Sequence, residues 1–246
     1  MFKVSIITVC LNSEKTIQQT IESVNNQNYK LLEHIFIDGL SNDNTVNIIK
    51  KNMKSNYSLI SEKDNGIYDA MNKGIKLAKG DIILILNSDD IFYDNFSLSN
   101  VIDTFKKNND LDLVYGDIII TKNRQIIRNW IVGEFKKDSF LKGWCPAHPA
   151  FVVKKSTYLK YGMFDLKYKS AADLEIMYRF LNKYNCKYEY CNKILINMRA
   201  GGKSNENILN IFSQNIENVN IFKNDKSFNI IKFFFYKIIH RLKQFF

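Results

Sequence analysis

The amino-acid sequence predicts one α/β domain, built on a mostly parallel sheet and followed by a C-terminal helical extension. In the first half of the chain, short apolar runs alternate with amphipathic stretches of about 10–15 residues, which is typical of βαβ units. The chain has 246 residues, of which 46% are hydrophobic, so it can bury a sizeable core and is not expected to be disordered. It contains no internal repeat and no linker rich in Gly, Pro or Ser, which favours one compact domain.

The predicted elements alternate along the chain. Apolar runs of strand length predict four strands, at residues 4–11, 32–39, 57–62 and 81–87. Apolar residues at helical spacing predict helices at residues 15–27, 43–54, 67–79, 98–108 and 171–184. A later strand at 111–121 and its hairpin partner at 125–132 complete the pattern. In such sheets, ligands bind in the crevice beyond the carboxyl ends of the strands.

The net charge of +10 is concentrated in one segment and does not indicate a nucleic-acid-binding protein. Residues 223–246 carry six basic residues against one aspartate, which is +5, half of the total. No apolar run is long enough to cross a membrane. Four cysteines without CxxC spacing argue against a zinc or disulfide framework, and a reducing cytoplasm fits best. They are Cys10, Cys145, Cys186 and Cys191.

Three of the four predicted strands end in polar residues that indicate a shared site. These are Asn12 and Ser13 after the first strand, Asp38 after the second, and Asp89 and Asp90 after the fourth. The first turn reads CLNSE, so it has neither the GxGxxG of a dinucleotide site nor a P-loop sequence. A divalent cation held by Asp89 and Asp90 is the obvious substitute as a phosphate anchor. The alternative for two adjacent aspartates is a solvated turn that caps a helix.

Four segments carry a family resemblance, and they read VSIITVCLNSE, FIDGLSNDNT, EKDNGIYDAMNKGIKLAKGDIILILNSDD and GMFD…AADLEIMYRF. In this order they resemble the motifs of family 2 glycosyltransferases of the GT-A fold, especially bacterial enzymes of O-antigen, capsule and exopolysaccharide synthesis. The resemblance implies an α/β GT-A domain over residues 1–205, with a mixed central sheet. Its Rossmann-like, nucleotide-sugar-binding half is expected at 1–95 and its acceptor-binding, catalytic-base half at 96–205. An amphipathic helical extension is expected at 206–246.

The resemblance also implies a UDP-sugar donor and, by position, the residues that bind it. Around the uracil, ribose and diphosphate it places Thr8, Val9, Asn12, Glu14, Asp38, Asp64, Gly66, Asp69, Asn72 and Lys73. The sequence NSDD (Asn87, Ser88, Asp89, Asp90) stands where the family has its metal motif. Asp90 is the expected direct ligand of Mn²⁺ or Mg²⁺, with Asp89 beside it toward the ribose and donor sugar. The family more often has an acid where this chain has Asn87.

Asp173 matches the position of the family's catalytic base, at the start of the helix predicted over 171–184. The chemistry requires such a residue, since a base must accept the proton of the attacking hydroxyl. A dication bound to the leaving diphosphate neutralises its developing charge, so the leaving group needs no proton donor. A structural interpretation of Asp173, as a carboxylate favoured by the helix dipole, is compatible with this role.

Two further segments are candidates for acceptor and diphosphate binding. The segment CPAHPAF follows Trp144, which could stack on a sugar ring, and contains His148, which is either an acceptor-site or a structural hydrogen-bonding group. The segment NMRAGGKSN offers Arg199 and Lys203 on a glycine-hinged loop suited to closing over a diphosphate. The alternative for this loop is a flexible connection into the next helix.

The last helix, SFNIIKFFFYKIIHRLKQFF, is amphipathic and basic. Large apolar residues at a basic chain end favour an interfacial helix that binds an anionic membrane surface, and the alternative is a helix packed on the domain. The sequence therefore predicts a peripheral protein at the inner face of a bacterial cytoplasmic membrane.

Taken with the resemblance, these features indicate an inverting, metal-dependent glycosyltransferase. The expected donor is a UDP-hexose, with UDP-Glc or UDP-Gal preferred, and the expected acceptor is a polyprenyl-diphosphate-linked saccharide. The alternatives are a sugar-nucleotide nucleotidyltransferase, which would need a glycine-rich basic loop after the first strand, and a non-catalytic module that binds polysaccharide or nucleic acid.

Overall fold

A single curled sheet organises the computed structural model, which describes residues 1–54, 56–201 and 208–245. Its strands are β1 (Val4–Cys10), β2 (Leu32–Asp38), β3 (Tyr57–Ser61), β4 (Ile82–Ile85), β5 (Ile91–Phe92), β6 (Leu113–Lys122), β7 (Gln125–Trp130), β8 (Phe151–Lys154) and β9 (Tyr188–Arg199). Its helices are α1 (Ile17–Asn25), α2 (Thr45–Asn52), α3 (Ile67–Leu77), α4 (Ser97–Lys107), α5 (Lys155–Tyr161), α6 (Ala172–Tyr178), α7 (Ile208–Phe222) and α8 (Ile230–Leu242).

The N-terminal half confirms the predicted βαβ units. Strands β3, β2, β1 and β4 lie side by side in this order and all run parallel. All seven residues of β1 are buried because helices cover both faces of the sheet. Ile6 belongs to the core on one face and Ile7 to the core on the other, as the two-residue period of a strand requires.

The second half makes the sheet mixed, as the GT-A resemblance implies. The order continues from β4 through β8, β6 and β9 to β5, and β7 forms the predicted hairpin with β6. β8 is antiparallel to both of its neighbours, whereas β9 is parallel to β6. The sequence patterns do not predict β5, β9 or α5. The helix predicted over 171–184 divides into α6 and a π-helical turn at Arg179–Lys183.

Helices α7 and α8 pack on the domain. Phe222 and Phe233 are buried in one core with Tyr178 of α6, and the Tyr178 hydroxyl donates to Asp225 at 2.8 Å. No helix in the described part of the chain is long and apolar enough to span a bilayer. The domain boundary predicted at 205–206 falls outside the described residues and stays a prediction.

Candidate active site

The adjacent carboxylates Asp89 and Asp90 lie in the turn between β4 and β5. The hydroxyl of Thr20 in α1 fixes this turn by donating to the carbonyl oxygens of Ser88 and Asp90 at 3.0 and 2.8 Å. The Asn87 amide donates to Oδ2 of Asp90 at 2.9 Å. Asp90 is only 1% exposed, so its carboxyl group is held almost out of solvent, with the neutral Asn87 amide as its hydrogen-bond donor.

Burial and the adjacent Asp89 raise the pKa of Asp90 to about 8, because both disfavour its negative charge. Burial also raises the pKa of Asp89, although the guanidinium of Arg199 acts in the opposite direction. Oδ1 of Asp90 and Oδ1 of Asn87 are buried and accept no hydrogen bond from any described residue. Buried oxygens in this condition are costly, and a cation between them would satisfy both.

A divalent cation fits this turn as a shared ligand of protein and substrate. The described residues contain no group of three or more His, Cys, Asp or Glu side chains placed to hold a metal on their own. Asp90, Asp89 and the Asn87 oxygen offer a few hard oxygen ligands, which is how Mg²⁺ is usually bound when phosphates and water complete its shell. The donor set therefore suits Mg²⁺ or Mn²⁺ bound together with a diphosphate.

The loop after β1 joins the ends of β2 and β4. Asn12, in the left-handed region at φ 53°, accepts from the backbone of Asn42 at 3.0 Å. The Ser13 hydroxyl lies 2.8 Å from that of Ser88. Glu14 accepts from the N–H of Asn44, at the start of α2, at 3.0 Å. These bonds bring the predicted residues Asn12, Glu14 and Ser88 to one edge of the sheet.

Asp38, the last residue of β2, and Asp64 lie close together at the same edge of the sheet. Asp38 is fully buried and accepts from the hydroxyls of Ser41 and Ser61 at 2.5 and 2.6 Å. A Cβ on Gly39 would lie 2.6 Å from Oδ2 of Asp64, so the absence of a side chain permits this approach. Asp64 accepts from the N–H of Gly66, whose φ of +114° at the start of α3 favours glycine.

Three residues predicted to bind the nucleotide point into the protein instead. Thr8 is fully buried with its hydroxyl 2.9 Å from His34, and Val9 lies in the core, because β1 is covered on both faces. The Asn72 amide bonds both the N–H and the carbonyl of Phe164, at 3.0 and 2.9 Å. Thr8, Val9 and Asn72 therefore hold the fold rather than line the cleft.

Asp69 and Lys73 lie on the first turns of α3, close to each other. Asp69 accepts from the N–H of Asn65 at 3.0 Å. The Lys73 ammonium lies 2.7 Å from Glu62 and 3.8 Å from Asp69. Both side chains remain beside the Asp64 turn, and their contact with the nucleotide stays a prediction.

Asp173 lies in the first turn of α6 and is joined to α3 through Tyr68. The Tyr68 hydroxyl and the Leu174 N–H both donate to Oδ1 of Asp173, at 3.1 and 2.9 Å. No described residue bonds Oδ2 of this half-buried carboxylate. Burial, together with the charge of Asp173, raises the pKa of Tyr68 far above its ordinary value, so the phenol stays a donor. One carboxylate oxygen is thus fixed and the other is open.

Two residues that support Asp173 were missed by the sequence analysis. Phe164 stacks on Tyr68 with centroids 5.5 Å apart, and Asn72 fixes its backbone. Glu217 of α7 accepts from the N–H groups of Lys169 and Ser170, at 2.8 and 2.9 Å, and so holds the segment just before α6. The motif GMFD contains Phe164, but no local pattern connects Glu217 with a loop 47 residues away.

His148 lies on the Asp173 side, whereas Trp144 does not reach the cleft. The His148 ring packs edge-on against Phe164, and burial lowers its pKa while Asp173 opposes this shift. The Trp144 indole is 8% exposed, donates to the carbonyl of Val132 at 2.7 Å and packs edge-on against Phe140. The expectation that Trp144 stacks on a sugar is therefore wrong, since aromatic neighbours occupy its place in the core.

Arg199 stands at the end of β9, near Asp89 and Asp90. Its guanidinium donates to Gln19 at 2.6 Å and acts electrostatically on both aspartates. An exposed cation at this point suits the predicted contact with a diphosphate. Lys203, predicted to act with it, lies outside the described residues.

Known proteins resemble this chain in sequence. The profile of a family described as Glycosyl transferase family 2 matches residues 5–155. A PGL/p-HBAD biosynthesis glycosyltransferase of Mycobacterium bovis is 29% identical over 205 residues, which are 82% of this chain and 78% of the relative. An uncharacterized glycosyltransferase of Mycobacterium tuberculosis is 33% identical over 181 residues, or 72% of this chain and 68% of the relative.

Solved structures agree in fold. TarS 1–349 of S. aureus in complex with UDP-GlcNAc superposes with a TM-score of 0.69 at 17% identity, over 94% of this chain and 69% of that one. The mannosyltransferase PcManGT of Pyrobaculum calidifontis, in complex with GDP-Man and Mn²⁺, gives a TM-score of 0.69 at 14% identity, over 98% of this chain and 70% of that one. At these identities the likeness establishes the fold alone.

The mixed sheet and its likeness to these solved structures define the GT-A fold. The family profile covers more than half of the sequence, and the chain belongs to glycosyl transferase family 2. This membership favours a glycosyltransferase over the sugar-nucleotide nucleotidyltransferase and the non-catalytic module.

Proposed function

We propose that the protein is an inverting glycosyltransferase that moves a hexose from a UDP-sugar to a hydroxyl of a lipid-diphosphate-linked saccharide. This reaction would extend a surface polysaccharide such as an O-antigen or a capsule. UDP-Glc and UDP-Gal are the donors to test first. That TarS was crystallised with UDP and UDP-GlcNAc supports a nucleotide-sugar donor.

The open oxygen of Asp173 is the observation that carries this proposal. Tyr68 and the Leu174 N–H hold Oδ1, which leaves Oδ2 to accept the proton of the acceptor hydroxyl as that oxygen attacks C1 of the donor. The bond between C1 and the diphosphate oxygen breaks, and UDP leaves with its electron pair. Asp90, Asp89 and the Asn87 oxygen would hold Mn²⁺ or Mg²⁺, and the bound ion would neutralise negative charge on the diphosphate.

The test is release of UDP from UDP-Glc, UDP-Gal and UDP-GlcNAc, with Mn²⁺ or with EDTA. Asp173→Asn should lower turnover by about 10²–10⁴-fold and leave UDP affinity unchanged, since the base acts only in the chemical step. Asp103→Asn, in an exposed pair with Lys106 on α4, is the matched control. Turnover like wild type in Asp173→Asn would refute the base, and undiminished turnover in EDTA would refute the metal.

Peripheral membrane binding through α8 is the second part of the proposal. The helix buries Phe233 and points a stripe of apolar side chains away from the domain, with Ile231 78% exposed. Phe235, Ile238 and Leu242 continue this stripe at helical spacing, and exposed lysines lie beside it. An apolar stripe with basic neighbours suits the headgroup region of an anionic bilayer.

Sedimentation with phosphatidylglycerol vesicles tests this second part. The double change Phe235→Ser and Ile238→Ser should abolish binding, because it removes the two central side chains of the stripe. Leu159→Ser, at a residue 72% exposed on α5, is the matched control for loss of surface hydrophobicity. Binding that survives the double change would show that α8 is not the membrane contact.

A further inference from the structure

A cavity lies where the end of α8 meets β7, away from the turn that carries Asp89 and Asp90. Its volume is about 310 Å³, at the lower end of the range for ligand pockets. One side is aromatic and apolar and the other is polar and basic. The residues that matter to its chemistry are Trp130, Val132, Trp144, His240, Lys243 and Gln244.

Arg128 adds a further cation at the edge of this cavity. Its guanidinium lies 5.8 Å from the ring centroid of Trp130 and 5.5 Å from that of Phe245, and it donates to the side chain of Gln244. Its Nε is buried and has no hydrogen-bond partner among the described residues. Burial and the like charge of Arg241 both lower the pKa of Arg128.

No carboxylate balances these cations in the described part of the chain. Every ion pair within 4.0 Å there involves other residues, and no acidic side chain lines the cavity. Arg128, Arg241 and Lys243, with no counter-ion among the described residues, are therefore suited to bind an anion. The apolar wall, together with the exposed Leu242 that precedes Lys243 in the chain, suits an anion that carries an apolar chain.

We infer that this cavity binds the phosphate or diphosphate group of a lipid, with the chain of the lipid leaving along the exposed stripe of α8. The inference rests on the proposed function, because it places the lipid end of the acceptor or a bilayer headgroup at this cavity. Cys145 also lines the cavity, and burial together with the charge of Asp173 raises the pKa of its thiol.

Intrinsic fluorescence gives a direct test, because the two tryptophans of the chain, Trp130 and Trp144, both line the cavity. Farnesyl diphosphate, titrated in EDTA and without donor, should change this fluorescence saturably. Arg128→Gln should weaken its binding about tenfold or more, since a charge-assisted contact is lost. Lys51→Gln, at an exposed position at the end of α2, should leave the affinity within about twofold of wild type.

Three further titrations identify the ligand. Farnesol should bind far more weakly than farnesyl diphosphate. Dihexanoyl phosphatidylglycerol distinguishes the sources, since tighter binding of this lipid would assign the cavity to bilayer headgroups and tighter binding of farnesyl diphosphate to the acceptor. The inference is overturned if farnesol binds equally well, if Arg128→Gln has no effect, or if UDP displaces farnesyl diphosphate. None of these titrations needs transfer, so an inactive enzyme that still binds farnesyl diphosphate would count against the proposed function alone.

Discussion

The affinity of the metal-free protein for Mn²⁺ should depend steeply on pH, because Asp90 must lose a proton to bind the ion. Burial and Asp89 raise the pKa of Asp90 to about 8. At pH 6 about one molecule in a hundred then has an ionised Asp90, and at pH 8 about half do. The apparent affinity for Mn²⁺ should therefore rise about fiftyfold between pH 6 and pH 8 and level off above.

The titration can be followed through the electron paramagnetic resonance of free Mn²⁺, without nucleotide. Asp90→Asn should lose most of the affinity and its dependence on pH. Asp173→Asn should keep the fiftyfold rise, since Asp173 is bound to Tyr68 rather than to the Asp90 turn. A change of less than about fivefold in the wild type would refute the argument, because carboxylates with ordinary pKa values near 4 are already ionised at pH 6.

The raised pKa of Asp90 also makes the free energy of unfolding depend on pH, with a defined sign. The folded protein holds the Asp90 proton more tightly than the unfolded chain, whose ordinary pKa is 3.8. In EDTA the free energy of unfolding should thus fall as pH rises from about 4 to about 8, by up to about 1.4 kcal/mol per unit from this group. Saturating Mn²⁺ should flatten the trend, because it keeps Asp90 ionised in the folded protein as it is in the unfolded chain, and Asp90→Asn in EDTA should remove the contribution of this group. Urea unfolding at pH 5, 6.5 and 8 measures the difference.

Three other substitutions test the supports of the site. Glu217→Ala should lower kcat about tenfold with an unchanged KM for the donor. Glu217→Gln should recover part of the lost kcat, because it keeps one oxygen that can accept a hydrogen bond. An equal loss of kcat in both variants would contradict a positioning role. Asn72→Ala should cost about 2–3 kcal/mol in urea unfolding by leaving the Phe164 N–H and carbonyl unpaired, with UDP affinity unchanged in calorimetry. Gly143→Ala should lower the melting temperature, because its Cβ would lie 2.7 Å from the α8 backbone at Lys237, and an unchanged value would show that α8 is not packed there.

Much of the nucleotide half follows from the sequence because its signals are local. Apolar runs fix β1, β2 and β4, and the carboxyl ends of parallel strands must meet at one edge, which places Asp38 and Asp90. β9 gives no such signal. It is partly exposed along its first half and contains Asn192 at φ 45°, where the register with β6 shifts, so its alternation is interrupted.

Where the sequence predictions of the site fail, they misjudge the direction of a side chain rather than the segment in which it lies. Asn72 and Trp144 lie in the segments that the motifs indicate, yet their polar atoms are taken by the backbone of Phe164 and Val132. Which way a side chain points depends on partners far away in the sequence, and no spacing rule contains them. Glu217 is missed for the same reason.

The orientation of α8 shows why an amphipathic pattern alone cannot locate a helix. A helix packed only for burial would turn Ile231, Phe235 and Ile238 inward, since burying each such side chain is worth about 1.5–3 kcal/mol. Here the inward face carries Phe233 together with Lys237, whose ammonium donates to Asn215 of α7 at 2.8 Å. The polar contact fixes the rotation of the helix and leaves the apolar stripe facing outward. The apolar side chains of the stripe therefore stay exposed in the folded domain, and their burial in a lipid surface would be favourable.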